Sequence, residues 1–346
     1  MKACERKLDF KNGCVDLSHG SGGRAMTQLI SGLFHEAFGN QWLARCNDQS
    51  SFDVGAGRMV MTTDGYVVSP LFFPGGNIGS LAVHGTINDV AMAGARPLYL
   101  SASFIIEEGF RFSDLKEIAD SMGKAARGAG VYIITGDTKV VERGKADGLF
   151  ISTTGVGVLA DGLDLSAEKA SVGDRVLVSG SLGDHGVAIM SRRQNLAFQI
   201  EIVSDSAALH NLVAVMVAAG GSGIRVMRDP TRGGLAATLN EIAHQSGLGF
   251  RLQEEAIPVK PAVAAACELL GLDPLHVANE GKLVAIVAPD MADAVLAAMK
   301  AHPLGCDAAD IGKAVVDDHQ FVQMSTSFGG ARIVDWLSGE QLPRIC

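Results

Sequence analysis

The sequence predicts a two-domain α/β (α+β) protein, and three observations carry the prediction. At 346 residues the chain is about twice the usual length of one domain. Apolar strand-like runs alternate with helix-periodic runs along its length, the pattern of sheets covered by helices. A polar, turn-rich stretch from Asp161 to Ser171 then interrupts that alternation and marks a boundary. The expected organisation is a lead-in over 1–45 with a glycine-rich segment, domains over 46–165 and 166–330, and a last strand with a tail over 331–346.

Composition excludes several classes. Hydrophobic residues at 47% and charged residues at 19% describe a chain that buries a core, and no segment reaches the apolar length of a membrane span. A net charge of −9 without a Lys/Arg cluster argues against nucleic acid or anionic membrane as partner. Six scattered cysteines without a C-x-x-C pair argue against a zinc site or a disulfide framework. Met1 to Phe10 shows no signal-peptide pattern, so the cytoplasm is the expected compartment. The 42 glycines gather in short clusters beside acidic residues, where backbone can approach a ligand.

His19-Gly20-Ser21-Gly22-Gly23-Arg24 opens a helix through Met26 to Phe38, and reads as a phosphate-suited start or a flexible lead-in. Arg58 to Thr63 predicts a strand ending in Asp64-Gly65, a turn pair or a carboxylate presented at a strand end. Gly75-Gly76 precede a helix over Ile78 to Ala93. Within its apolar run Ile87 to Met92 stand Asn88 and Asp89, and a carboxylate there needs a cation or hydrogen bonds, which points to a metal or phosphate site.

A strand over Pro97 to Ile106, a helix over Asp114 to Ala129 capped by Ser113 and a buried strand over Val131 to Thr135 follow. That strand delivers Gly136-Asp137-Thr138-Lys139 into a turn. Carboxylates at two strand ends, a third on a helix and one lysine are the parts a nucleoside triphosphate with Mg²⁺ requires. Leu149 to Leu159 closes the first domain as a strand.

In the second half, Arg175 to Ser179 is a strand leading through Gly183-Asp184-His185-Gly186 into a helix. His185 reads as a turn or cap residue, or as a base or ligand. Arg228-Asp229-Pro230-Thr231-Arg232-Gly233-Gly234 starts a helix ending near Gln245, with Asp229 as N-cap and Pro230 in the first turn, and with Arg232 and the glycines suited to phosphates. Pro261 to Gly271 is a helix. Glu280 enters the strand Leu283 to Val287 through a glycine turn, as a general base or an exposed turn residue. Strand and helix alternate onward to a last strand over Arg332 to Leu337.

The chain ends Pro343-Arg344-Ile345-Cys346. Proline holds an extended φ and keeps its predecessor out of helix, so the last tripeptide is expected to project from the body with Cys346 on a mobile arm. Such a thiol is a carrier that visits a site, or an incidental cysteine in a reducing cytosol.

Thr62-Thr63-Asp64-Gly65, Pro74-Gly75-Gly76, Ile87-Asn88-Asp89, Gly136-Asp137-Thr138-Lys139, the 228–234 segment and the Pro-Arg-Ile-Cys ending together resemble the HypE family of hydrogenase-maturation carbamoyl dehydratases. That family sits in the superfamily of aminoimidazole ribonucleotide synthetase, selenophosphate synthetase and thiamine-phosphate kinase. The resemblance runs end to end. It implies an N-terminal mixed-sheet domain that pairs with its copy in a homodimer, a C-terminal ferredoxin-like α/β domain, and ATP with Mg²⁺ between them. It further implies metal or phosphate ligation by Asp48, Asp64, Asp89 and Asp229, nucleotide contacts from Asn88, Gly136, Asp137, Thr138 and Arg232, and catalytic roles for Lys139, Glu280 and Cys346. The implied reaction is ATP-dependent dehydration of an S-carbamoyl group on Cys346 to a thiocyanate, supplying cyanide for the iron of NiFe-hydrogenase. A carbamoyltransferase would load the thiol and an iron-carrying maturation complex would accept the product. The alternative is a small-molecule kinase or synthetase of the same superfamily.

Overall fold

The computed structural model describes residues 8–20, 24–45, 52, 57–159, 161–194, 201–336 and 344–346. Helices α1 (Arg24–Leu29) and α2 (His35–Phe38) are joined by a π-helical turn, so the predicted lead-in helix is continuous but not regular. Strands β1 (Met59–Tyr66), β2 (Phe72–Phe73) and β3 (Gly76–Asn77) precede α3 (Ile78–Met92). Then come β4 (Ala95–Glu107), α4 (Phe112–Gly128), β5 (Tyr132–Val141) and β6 (Leu149–Leu159). The order β1-β6-β4-β5 forms one mixed sheet, with β4 and β5 parallel and the other pairs antiparallel.

Helices α3 and α4 cover one face of that sheet. Strand alternation sends Leu100, Ala102, Phe104 and Ile106 toward them, and leaves Met61 at 72% exposure on the opposite face with Met59 and Ile105, a face on which Trp42 packs against Tyr99 and Tyr132.

The second unit begins with β7 (Arg175–Val178), α5 (Asp184–Arg193), α6 (His210–Gly220), β8 (Ile224–Arg228), α7 (Gly234–Ser246) and β9 (Gly249–Gln253). It continues with α8 (Pro261–Leu270), β10 (Val284–Val287), α9 (Pro289–Lys300), β11 (Ala309–Val315), β12 (Val322–Ser325) and β13 (Ala331–Ile333). The sheet order is β13-β12-β9-β11-β7-β10-β8, antiparallel except for β12 beside β9. Helix α7 packs on one face against Val176, Val178, Val284 and Ile286, while α6 and α9 pack on the other against Leu177, Ala285 and Val287. Burial on both faces explains the uninterrupted apolar reading of these strands.

Several expected boundaries move. Strand β1 runs through Asp64 and Gly65, and β5 runs through Gly136 to Lys139, so neither aspartate ends a strand at a turn. Gly136 serves the sheet, because a Cβ there would lie 2.2 Å from the Ala102 carbonyl on β4. Ser113 lies inside α4 and does not cap it. Helix α3 instead has an unpredicted cap, with Asn77 Oδ1 accepting the N–H groups of Gly79 and Ser80. Asp229 is not an N-cap: α7 starts after Gly233 at φ 77°, and Asp229 and Pro230 form the turn between β8 and that start. The final strand is only three exposed residues, and helix α6 had no sequence forecast.

The largest departure is the tail. Arg344 adopts φ 53°, the left-handed region, and turns Ile345 inward, where it is 3% exposed in the same apolar cluster as Ile189 and Ala278. Val67 N–H donates to a main-chain carboxylate oxygen of Cys346 at 3.1 Å and Ser69 N–H to the Arg344 carbonyl at 3.1 Å. The expected projecting arm is therefore a docked one, and its Pro343 lies outside the described residues. No helix among the described residues is long and apolar enough to cross a membrane.

Candidate active site

The docked tail brings Cys346 to a cluster of carboxylates. Asp64 comes from β1, Asp89 from α3, Asp229 from the turn after β8 and Glu280 from the segment before β10. Each element has a local reason to present its acid. The register of β1 turns the even residues toward α3, so Thr62 Oγ1 donates to Asp89 Oδ2 at 2.8 Å, and Tyr66 OH donates to Asp64 Oδ2 at 3.1 Å. Tyr66 is itself buried against Gly85, where any Cβ would meet its hydroxyl at 2.3 Å.

The acids raise one another's proton affinity. Burial, then the neighbouring Asp229 and Asp64, push Asp89 to about 7. Burial and then Asp64 push Asp229 to about 6, against the pull of Arg228. Glu280 is 2% exposed and is driven well above the carboxylate range by burial, then by Asp229, Asp205, Asp64 and Asp89. Its Oε1 has no hydrogen-bond partner among the described residues. Burial, then the Glu280 carboxylate, push the Cys346 thiol to about 12, with Arg232 acting in the opposite sense. The docked sulfur is thus held as a neutral thiol beside a would-be base.

Asn88 has a different task from the nucleotide contact expected of it. Its Nδ2 donates to the carbonyls of Ala207 at 3.0 Å and Glu280 at 3.1 Å, and its Oδ1 accepts Leu209 N–H at 2.8 Å. It fixes the main chain of Glu280 and reaches the site only through it. Asp205, which the sequence did not single out, accepts Glu280 N–H at 3.1 Å and pairs with Lys282 at 3.2 Å.

The second predicted group does not join the first within this chain. Registers across the sheet align Asp64, Thr153, Ala102 and Gly136, so β5 lies three strand spacings away, roughly 14 Å. Asp137 and Lys139 also face away from α3, on the opposite side, where they pair at 3.5 Å with more than half of each side chain exposed. Thr138 points inward, buried, and its N–H donates to Asp137 Oδ1 at 2.8 Å. Gly136, Asp137 and Thr138 line a small, largely apolar pocket with Phe34, Phe38 and Phe104. Gly20 of the glycine cluster abuts Val140, next to Lys139; Ser21 to Gly23 and Asp48 lie outside the described residues.

Oxygen donors in mutual repulsion suit a hard divalent cation, and the upward shifts of Asp89 and Asp229 are what such an ion would relieve. Among the described residues no three His, Cys, Asp or Glu side chains are grouped closely enough to hold a metal ion as they stand.

Residues 47–159 match the family described as AIR synthase related protein, N-terminal domain, and 171–325 match AIR synthase related protein, C-terminal domain. The chain is 86% identical over 346 residues to the carbamoyl dehydratase HypE of Bradyrhizobium diazoefficiens, covering 100% of both. The solved structure of hydrogenase maturation protein HypE in complex with ATP superposes at a TM-score of 0.91 and 50% identity, covering 95% of this chain and 99% of that one. HypE from a HypE–HypF complex superposes at 0.79 with 48% identity, covering 89% and 99%.

Proposed function

Because this chain belongs to the carbamoyl dehydratase HypE family of the AIR synthase related proteins, we propose that it dehydrates a carbamoyl group carried on Cys346 to a thiocyanate, consuming ATP, and so supplies cyanide for the iron of NiFe-hydrogenase. One observation carries the assignment of the thiol. Cys346 lies within electrostatic reach of Glu280, Arg232, Asp64 and Asp229.

The S-carbamoyl amide must lose its oxygen, and hydroxide is a poor leaving group. Attack of the amide oxygen on the γ-phosphorus of ATP, with loss of one N–H proton to solvent, makes an O-phosphorylated imidate and releases ADP. Removal of the remaining N–H proton then expels inorganic phosphate and leaves S–C≡N. Oxygen leaves as phosphate, and no oxidant or reductant is needed. Glu280 is the base in our reading: it is buried, its Oε1 is unengaged among the described residues, and its proton affinity is raised. Arg232 supplies positive charge to the phosphates.

Asp64, Asp89 and Asp229 would hold Mg²⁺, which when bound supplies charge neutralisation for the transferred phosphoryl group. Both raised aspartates give this a pH signature. Their stabilising contribution is complete below the ordinary carboxylate value of 3.8 and is lost as pH rises toward about 6 for Asp229 and about 7 for Asp89. Metal-free protein is therefore expected to melt at lower temperature near about pH 8 than near about pH 5, and Mg²⁺ to raise the melting temperature more at the higher pH. Asp89→Asn should shrink that difference. A Mg²⁺ response equal at both pH values would remove these aspartates from the ligand set.

A thiol held neutral is a poor nucleophile, so loading requires the tail to leave its seat. The solved HypE–HypF pair supports a partner of that kind as the loading carbamoyltransferase, with an iron-carrying maturation complex as acceptor. ATP as co-substrate fits a cytoplasmic enzyme. The exposed Met59, Met61 and Ile105 on the sheet's outer face and the distance of Lys139 from the acids support a homodimer in which the second copy completes the site.

The test is the intact mass of the protein after incubation with the carbamoyl donor system, followed on Cys346. Gain of a carbamoyl group, then loss of one water only with ATP, is the expected result. An unmodified Cys346 under every condition would return the chain to the kinase alternative.

A further inference from the structure

We propose that His185, oriented by Ser204, is the catch that seats the tail at the reaction site, and that loop 204–207 sets the seated thiol in register with Glu280. The inference rests on the dehydratase reading and adds a positioning residue to it. His185 is fully buried on α5, and its Nε2 lies 2.8 Å from the Ile345 carbonyl oxygen. A carbonyl only accepts, so Nε2 carries the proton. In the neutral ring Nδ1 then accepts, and the Ser204 hydroxyl 2.8 Å away donates to it. Burial lowers the proton affinity of His185, which agrees with that neutral tautomer. Ser204 Oγ in turn accepts Ser206 N–H at 3.1 Å, so its donor direction is fixed.

The neighbouring carbonyl is gripped elsewhere, with Arg344 C=O taking Ser69 N–H at 3.1 Å and an Arg193 N–H at 2.9 Å. The residue that immediately precedes the reactive thiol is held through His185.

The same loop reaches the other reacting group. Asp205, adjacent to Ser204, accepts Glu280 N–H, and the Ala207 carbonyl shares Asn88 Nδ2 with the Glu280 carbonyl. A Cβ on Gly281 would stand 1.7 Å from the Asp205 carbonyl, so loop and base segment are in direct backbone contact. One end of a four-residue loop thus sets the tail and the other sets the base. His185 touches neither sulfur nor carbamoyl group and acts through Ile345.

The experiment follows thiol labelling of Cys346 in the full chain, read by mass of the C-terminal peptide, with buried Cys267 and exposed Cys306 as internal references. His185→Leu is expected to speed Cys346 labelling about tenfold and to slow single-turnover dehydration of the loaded thiol about tenfold, while His185→Gln, whose amide N–H reaches the same carbonyl, returns both to within about threefold of the parent. Ser204→Ala should move both readouts in the direction of His185→Leu. Should His185→Leu fail to fold, the comparison of His185→Gln with Ser204→Ala carries the test, the first near the parent and the second not. Labelling unchanged in His185→Leu, or glutamine behaving like leucine in a folded protein, would overturn the catch and leave a ring that only packs. Labelling needs neither carbamoyl donor nor ATP, so a protected but never dehydrated Cys346 would sink the reaction and spare the catch.

Discussion

Glu280→Gln is expected to slow dehydration of carbamoylated Cys346 by at least about a hundredfold while loading of the thiol proceeds, since a positioned base contributes about 10²–10⁴-fold. The substitution isolates the chemistry because the contacts that place Glu280 are made by its main chain. Asn88 grips its carbonyl and Asp205 its N–H, and neither requires the carboxylate. Glutamine keeps the volume and removes the proton acceptor. It also removes a buried acid surrounded by Asp229, Asp205, Asp64 and Asp89, so the variant should be as stable as the parent or more so. In the parent, the rate should rise with pH through a value above the ordinary carboxylate range, because Glu280 accepts the N–H proton only when ionised. The variant should lose that limb. The measurement is single-turnover mass analysis of Cys346 across pH with ATP present; a parental rate in Glu280→Gln would assign the proton to another group.

Much of the framework was legible because local rules decide it. Strand β6 and helix α3 follow the apolar pattern closely, and Asp89 declared itself as a carboxylate inside an apolar helical run. The resemblance assigned Asp64, Asp229, Glu280 and Cys346 to one site together with Asp137 and Lys139; the first four lie within electrostatic reach of one another, and the last two stand on β5. Glycine carried needs that the sequence did not separate. At Gly136 the missing side chain lets β5 approach Ala102, and at Gly281, read as a turn glycine, it admits the Asp205 carbonyl.

What stayed hidden depends on partners far apart in the chain. His185 bonds a carbonyl 160 residues away, and nothing beside it in sequence marks that role. Asn88 spends its amide on segments 119 and 192 residues distant. The docking of the tail needs a left-handed Arg344, paired with Asp147 and donating to the Val67 carbonyl, and an apolar seam waiting for Ile345. A terminal proline followed by three residues carries no trace of that seam, so local stereochemistry alone predicted an arm in solvent.

Lys139→Ala is expected to abolish turnover in the pure variant, and mixing it with Glu280→Gln chains is expected to bring activity back. The reason is geometric. Lys139 stands on edge strand β5, on the face away from α3, roughly 14 Å from the row of Asp64, which is three strand spacings. A lysine side chain cannot fold around the sheet to the phosphates held by its own acids. Among the described residues β1 forms one edge of the sheet, and its outer face bears the exposed Met59, Met61 and Ile105, where a second copy would dock. If that copy's Lys139 completes each site, a dimer of one Lys139→Ala chain and one Glu280→Gln chain contains one site with both groups intact and one with neither. Purified mixed dimers, each chain carrying a different tag, should then run at about half the parental rate although each parent variant is inactive. A lysine acting within its own chain leaves every site of the mixed dimer defective, and the same preparation would stay silent. Mass analysis of the two distinguishable chains sharpens the reading, because thiocyanate should form on Cys346 of the Lys139→Ala chain alone, the one that keeps Glu280.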